Sequence, residues 1–286
     1  MNTRSGIRTL FAILALVCLG AGVVLSRAIP GLPERIPTES VAPVPDEGTE
    51  PVPATSAPHD VPAESGDEPA VEASTTLPLF PDLEGDRLRS AVRSALKSGH
   101  RPLTYRKARE AMYWIIDNRS GTVTTVYAMK PLPLEPGEWP RQQQLNCEHV
   151  WPQSKGSRRM PMKTDLFHLR PADPRTNSTR SNHPFGIPVT EDDPRTPWHV
   201  GPDADGHMVF MPPPQHRGDI SRSMFYFSIR YDIDIDANQE AILRTWHRED
   251  PVDEAERNRA DQIEDEQGNR NLFIDNPEVV ERIDDF

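Results

Sequence analysis

Proline, set among Glu, Asp, Ser, Thr and Ala, dominates the stretch from Ile29 to Pro81, and this stretch limits what the chain can fold into. Too few apolar side chains lie there to offset the entropy of ordering the backbone. Residues 28–80 therefore read as a disordered acidic linker, which confines the folded part to residues 81–286, enough for a single domain. Residues 1–27 precede the linker. Arg4 and Arg8 stand ahead of an apolar run, LFAILALVCLGAGVVL from Leu10 to Leu25, which is the pattern of an export signal. The run is about sixteen residues, short of the roughly 20 of a comfortable spanning helix, and no small-x-small cleavage site follows. Signal peptide and uncleaved anchor both fit, so the domain is expected outside the cytoplasm: secreted, periplasmic or tethered. A membrane enters as a partner only through this segment, if it is retained. Cys18 follows Ala15-Leu16-Val17, which lacks the small residue that a lipidation signal places beside its cysteine.

Cys18 and Cys147 are the only cysteines. With the first inside the export segment, the folded domain has no internal disulfide to rely on, and its stability must come from a core. The net charge of −12 speaks against a nucleic-acid partner until it is located along the chain. From Arg27 to Phe80 ten Asp and Glu face two Arg, and from Arg248 to Phe286 fourteen face five. Between Arg141 and Arg230, by contrast, twelve Lys and Arg face nine Asp and Glu. One locally basic region lies between two acidic ends.

Leu88, Val92 and Leu96 at four-residue spacing, with Gly99 beyond, predict a helix from Asp86 to Lys97. Thr104 can cap a second helix running to about Trp114. Trp114 to Asp117 and Thr122 to Tyr127 are rich in β-branched and aromatic residues and predict a hairpin around residues 118–121. The four prolines between Lys130 and Pro140 predict an irregular connection. Leu145 to Trp151 and Asp165 to Arg170 read as strands, and Asp173-Pro174 opens a helix that would carry Asn177. Helices are further expected over 221–232, behind Asp219, where apolar residues all round imply burial. Others are expected over 239–247, up to Gly268, and over 277–283.

Inside the basic region lies LNCEHVWPQS, Leu145 to Ser154, which sets Glu148 beside His149. A carboxylate with an amide oxygen can hold Mg²⁺ and leave positions for water and substrate oxygens. A neutral imidazole can take a proton from an attacking water. A phosphodiester is a substrate that uses both. The plainer alternative is a solvated strand carboxylate beside a core histidine, because paired titratable groups are often structural. Cys147, His149, His168 and His183 also supply four zinc-type side chains, although their spacings match no standard finger. Neighbours in a regular strand point to opposite faces, so a shared role for Glu148 and His149 requires the strand to bend or end there.

NCEHVWPQS (146 to 154) and TDLFHLRPADPRTNSTRSNHPFG (164 to 186) resemble, block by block and in order, the bacterial endonuclease I family. These are secreted or periplasmic nucleases of the ββα-metal, or His-Me finger, type. GDISRSMFYFSIRYD (218 to 232) and EQGNRNLFIDNPEVVERI (266 to 283) extend the likeness over roughly Leu83 to Ile283. Several blocks in fixed order are far more specific than a lone motif. The resemblance implies an α+β fold, a ββα-metal core embedded in a mixed, largely helical single domain. It implies a metal-dependent endonuclease acting on DNA, RNA or both with little sequence specificity, leaving 5′-phosphate and 3′-hydroxyl ends. It also implies His149 as general base and Glu148 and Asn177 as ligands of Mg²⁺ or another divalent cation, with Asn182 the rival amide or a loop-fixing residue. Arg180, Arg158 and Arg159 are the candidate phosphate holders, because a guanidinium binds two oxygens at once. Arg222, within a buried helix, is expected to be an ion-pair partner instead. Some relatives are rich in cysteine, and this chain is not. The alternative is a catalytically inactive cell-surface module that binds nucleic acid, suggested by the acidic overall charge and opposed by the presence of base, ligands and arginines together. A monomer is assumed.

Overall fold

The computed structural model describes residues 79–190 and 193–286; the leader 1–27 and the linker up to residue 78 lie outside the described residues. Helices and small antiparallel sheets are mixed along the chain, as the expectation of an α+β fold requires. Helix α1, Gly85–Lys97, buries Leu88, Val92 and Leu96 along one stripe, and Gly99 beyond it takes a positive φ. In α2, Tyr105–Ala111, the Thr104 hydroxyl accepts from the Lys107 amide.

The next segment departs from expectation. Met112–Ile116 continues the helix as a π turn, so Trp114 is helical and the predicted strand over 114–117 does not form. The hairpin begins only at β1, Asn118–Arg119, which pairs with β2, Thr122–Thr124. Ser120 and Gly121, both with positive φ, make a two-residue turn whose twist matches its strands. The proline-rich connection contains an unforeseen strand, β3, Pro131–Pro133, on the edge of this sheet, where a proline's missing N–H costs no ladder bond.

The central pair is β4, Asn146–His149, antiparallel to β5, Leu169–Ala172. The strand expected over 165–170 is displaced: Leu166–His168 forms a 3₁₀ turn in which the Asp165 carboxylate accepts from the Phe167 amide and Gln267 Oε1 from that of Leu166, and β5 starts afterwards. Helix α3, Pro174–Arg180, follows at once, with Asp173 accepting from the Arg175 and Thr176 amides and Pro174 at the first position. A further hairpin, β6 (His199–Pro202) with β7 (Met208–Met211), was not anticipated.

Helix α4, Arg217–Tyr231, starts before the expected Asp219 and is buried nearly all round. It packs on α1, on α5 (Ala237–Glu249, capped by Asp236) and on α7 (Leu272–Asp275). Phe225 meets Phe273 and Phe286 on one side, and Phe227 stacks on Trp151 at 5.0 Å and touches His168 on the other. Helix α6, Glu254–Gln267, ends at left-handed Gly268 as expected, whereas Pro277–Arg282 forms a 3₁₀ turn. Arg222 pairs with Glu256 at 2.6 Å, the structural role expected of it.

One buried carboxylate ties these layers together. Asp165 accepts from the Tyr226 and Tyr231 hydroxyls at 2.8 and 2.7 Å and from the Gln267 amide at 2.9 Å, and Arg230 lies 3.2 Å away. Burial disfavours its charge, but Arg230 and His168 outweigh that and hold its pKa below the usual carboxylate value. The residue that caps the turn before β5 is thus the one that docks α4 and α6 onto it.

Candidate active-site cleft

The β4–β5–α3 unit frames an open cleft of about 390 Å³, lined by Glu148, His149, Gln153, Asn177, Ser181 and Asn182 among others. The register places Glu148 opposite Arg170 and His149 opposite Leu169. Strand β4 ends at His149, and a bend follows at Val150 and Trp151. Termination at that point lets two consecutive side chains face one cleft, which a continuing strand would forbid.

Glu148 is only 4 % exposed. Its Oε1 accepts from the Tyr127 hydroxyl at 2.8 Å and lies 3.3 Å from Arg180 Nε, while Oε2 makes no hydrogen bond to the described residues. Burial raises its pKa, and Arg180 and Tyr127 work in the opposite sense. A buried carboxylate with one free oxygen is a group that a cation would stabilise.

The imidazole of His149 lies with Nε2 3.2 Å from the Lys163 carbonyl oxygen and Nδ1 3.3 Å from Gln153 Nε2. A carbonyl only accepts, so Nε2 carries the proton and Nδ1 presents its lone pair. Burial, helped by neighbouring His168, lowers the pKa of His149 to about 3 and keeps the ring neutral near pH 7.

The two candidate amides differ. Asn182 donates to Ser154 Oγ at 3.2 Å and ties the end of α3 to the turn after β4. The carboxamide of Asn177, on α3, has no hydrogen-bond partner among the described residues and faces the cleft. Glu148 and Asn177 together are a hard, all-oxygen donor pair, which fits Mg²⁺ or a similar divalent cation.

The arginines are placed unequally. Arg180 is buried, with Nη2 donating to the Val150 carbonyl at 2.8 Å and Nη1 to that of Ser181 at 2.9 Å. Two of its five N–H donors are thereby committed to backbone carbonyls, and Nε is turned to Glu148. Arg158 and Arg159 are exposed in the loop between β4 and β5 and make no side-chain hydrogen bond or ion pair among the described residues. The four zinc-type side chains do not converge. Among the described residues, the one set of three or more His, Cys, Asp and Glu side chains within 4.8 Å of one another is Asp203, Asp205 and His207, in the β6–β7 turn. Cys147 is buried and free.

Three contributors escaped the sequence reading. Gln153 lies in the LNCEHVWPQS block, so its proximity to His149 was within reach there. Tyr127 comes from the turn that follows β2, and Lys163 acts through its backbone carbonyl, which no side-chain pattern reports.

The sequence profile described as Endonuclease I matches residues 87–278. The chain is also similar to an extracellular ribonuclease of Bacillus amyloliquefaciens, 30% identical over 242 residues, which are 75% of this chain and 80% of that relative. An extracellular ribonuclease of Bacillus subtilis (strain 168) is 35% identical over 168 residues, 51% of this chain and 54% of the relative. The chain belongs to the endonuclease I family and is a nuclease.

Proposed function

We propose that the cleft hydrolyses phosphodiester bonds, with His149 as general base and Glu148 and Asn177 holding a divalent cation, Mg²⁺ foremost. The observation that carries this reading is the pairing, in one cleft, of a neutral imidazole whose Nδ1 lone pair meets only the Gln153 amide, 3.3 Å away, with a buried carboxylate that keeps one free oxygen. The attacking water replaces the Gln153 amide at Nδ1 and gives its proton there, and the Lys163 carbonyl, fixed to Nε2–H, steadies the ring as it becomes positive. When bound, the cation supplies electrostatic stabilisation of charge on the phosphoryl and leaving oxygens. Tyr127 and Arg180 act as positioning residues, holding Glu148 Oε1 and leaving Oε2 for the cation. The exposed Arg158 and Arg159 are the arginines free to meet phosphate. The strand–strand–helix unit from Asn146 to Arg180 supports the ββα-metal assignment.

The products are 5′-phosphate and 3′-hydroxyl ends, with little sequence preference, because phosphate contacts position without specifying bases. The names of the two relatives favour RNA as substrate and a place outside the cell. No helix among the described residues is long and apolar enough to cross a membrane. Linear RNA, single-stranded DNA and duplex DNA incubated with Mg²⁺ or with chelator test the reading. Internal cleavage of RNA in Mg²⁺ alone is expected. Three intact substrates in Mg²⁺, or equal cleavage in chelator, would refute it.

A further inference from the structure

We propose that a basic aromatic strip running from Tyr105 to Trp139, beside the cleft, binds unpaired bases of the strand being cut. The enzyme's preferred substrate is then single-stranded nucleic acid. The inference rests on the cleft being the cleavage site and adds the substrate form.

The strip starts at the proposed base. The Tyr105 ring lies against His149, with centroids 6.1 Å apart and planes 30° apart. Lys163, whose carbonyl orients His149, places its ammonium 4.4 Å from the Tyr105 centroid. Arg109, one turn along α2, has its guanidinium 5.6 Å from the Tyr105 ring and 5.0 Å from the Trp139 ring. Arg106 lies 5.8 Å from Trp139 on the same helix. The loop that carries Trp139 is pinned, because Trp114 Nε1 donates to the Glu138 carbonyl at 2.7 Å and the two indoles meet edge to face at 5.2 Å.

Two features show that this arrangement does more than stabilise α2. Trp139 is 38 % exposed and stands outside the apolar core, so burial does not explain why a loop is fixed to hold it there. The charges are also unequal. Glu110 takes Arg106 and Lys107, at 2.9 and 2.8 Å, while Arg109 pairs with no carboxylate among the described residues. An exposed indole and an uncompensated guanidinium, linked through Tyr105 to the proposed base, are the parts from which single-strand tracks are made. The aromatic face stacks on any base, and the cation follows the backbone. Bases inside a duplex are already stacked on each other and cannot use such a platform, whereas those of a single strand can be splayed onto it. His149, Tyr105, Arg109 and Trp139 are joined by steps of 5.0 to 6.1 Å, within the reach of a few nucleotides at roughly 3.4 Å each when stacked.

Binding of a short labelled oligonucleotide to the full chain, measured in chelator so that nothing is cut, tests the strip. The probes are a single strand, a hairpin duplex of the same sequence and a single strand with abasic positions. Trp139→Ala should raise the dissociation constant for the single strand roughly tenfold and leave that of the duplex within about twofold, while Trp139→Phe keeps most of the affinity. The abasic strand should bind the unsubstituted protein and Trp139→Ala alike. Unchanged single-strand binding by Trp139→Ala, or an equal loss for strand and duplex, would overturn the proposal. Cleavage plays no part in this readout, so a protein that binds through Trp139 but cuts nothing in Mg²⁺ would refute the cleavage reading alone.

Discussion

At the scale of single residues, the cleft separates groups that hold from groups that act. Asn182 already donates to Ser154, whereas Asn177 has an unpartnered carboxamide in the cleft that Glu148 also lines. Asn177→Ala should therefore raise the Mg²⁺ concentration for half-maximal cleavage by about tenfold or more, the scale seen when a metal site loses a supporting group. Asn182→Ala should move it little. A Mg²⁺ titration of the two variants checks this, and the reverse order would transfer the ligand role to Asn182. Glu148 beside His149 stood out in LNCEHVWPQS, but the two residue types alone fit a structural pair as well, and it took the blocks over 164–186 to favour chemistry. The hold on Glu148 was not legible there. Arg180 carries the same charge whether it meets a phosphate or a buried carboxylate, and only its burial distinguishes the two uses. Tyr127 and the Lys163 carbonyl belong to tertiary structure and leave no local trace.

At the scale of elements, local chemistry placed the ends well where a cap decides them. Thr104 before α2, Asp173-Pro174 before α3 and Gly268 after α6 each satisfy orphan backbone groups as their residue types foretell. The segment DLFHLR was misjudged for a reason that lies elsewhere in the chain. Its apolar alternation suits a strand, but Asp165 is bound by Tyr226, Tyr231 and Gln267, and that bonding goes with a 3₁₀ turn in place of the first residues of the expected strand. Trp114 to Asp117 was misjudged likewise: β-branched and aromatic residues can line a half-buried helical turn as well as a strand. Asp165→Ala would leave Arg230 and two hydroxyls buried without their acceptor. It should cost about 3–5 kcal/mol, the scale of breaking a buried ion pair. Urea unfolding measures this as a lower midpoint at unchanged slope, and a loss below about 1 kcal/mol would show that the docking of α4 and α6 does not depend on it.

At the scale of the whole molecule, the fold carries histidines that must stay neutral. Burial lowers the pKa of His168 to about 4, and burial together with Arg222 does the same for His247. Their ordinary value is 6.5, so between these limits the unfolded chain binds protons that the folded one refuses. Stability is then fully present above pH 6.5 and is lost as pH falls toward about 4. Urea midpoints at pH 7 and pH 4.5 should differ clearly, the acidic one being lower, and a flat profile would mean that these rings are not held neutral. The acidic overall charge, which seemed to oppose a nucleic-acid substrate, falls largely at the two ends of the sequence. The cleft is built within the basic middle.

The most direct test of the central claim is cleavage of RNA by His149→Ala in Mg²⁺, with Mg²⁺ binding followed by calorimetry on the same protein. Cleavage should fall by at least 10²-fold, the lower end of what a positioned general base contributes, while Mg²⁺ still binds. A variant that cuts RNA at near-normal rate would remove His149 from its role and, with it, the reading of this cleft.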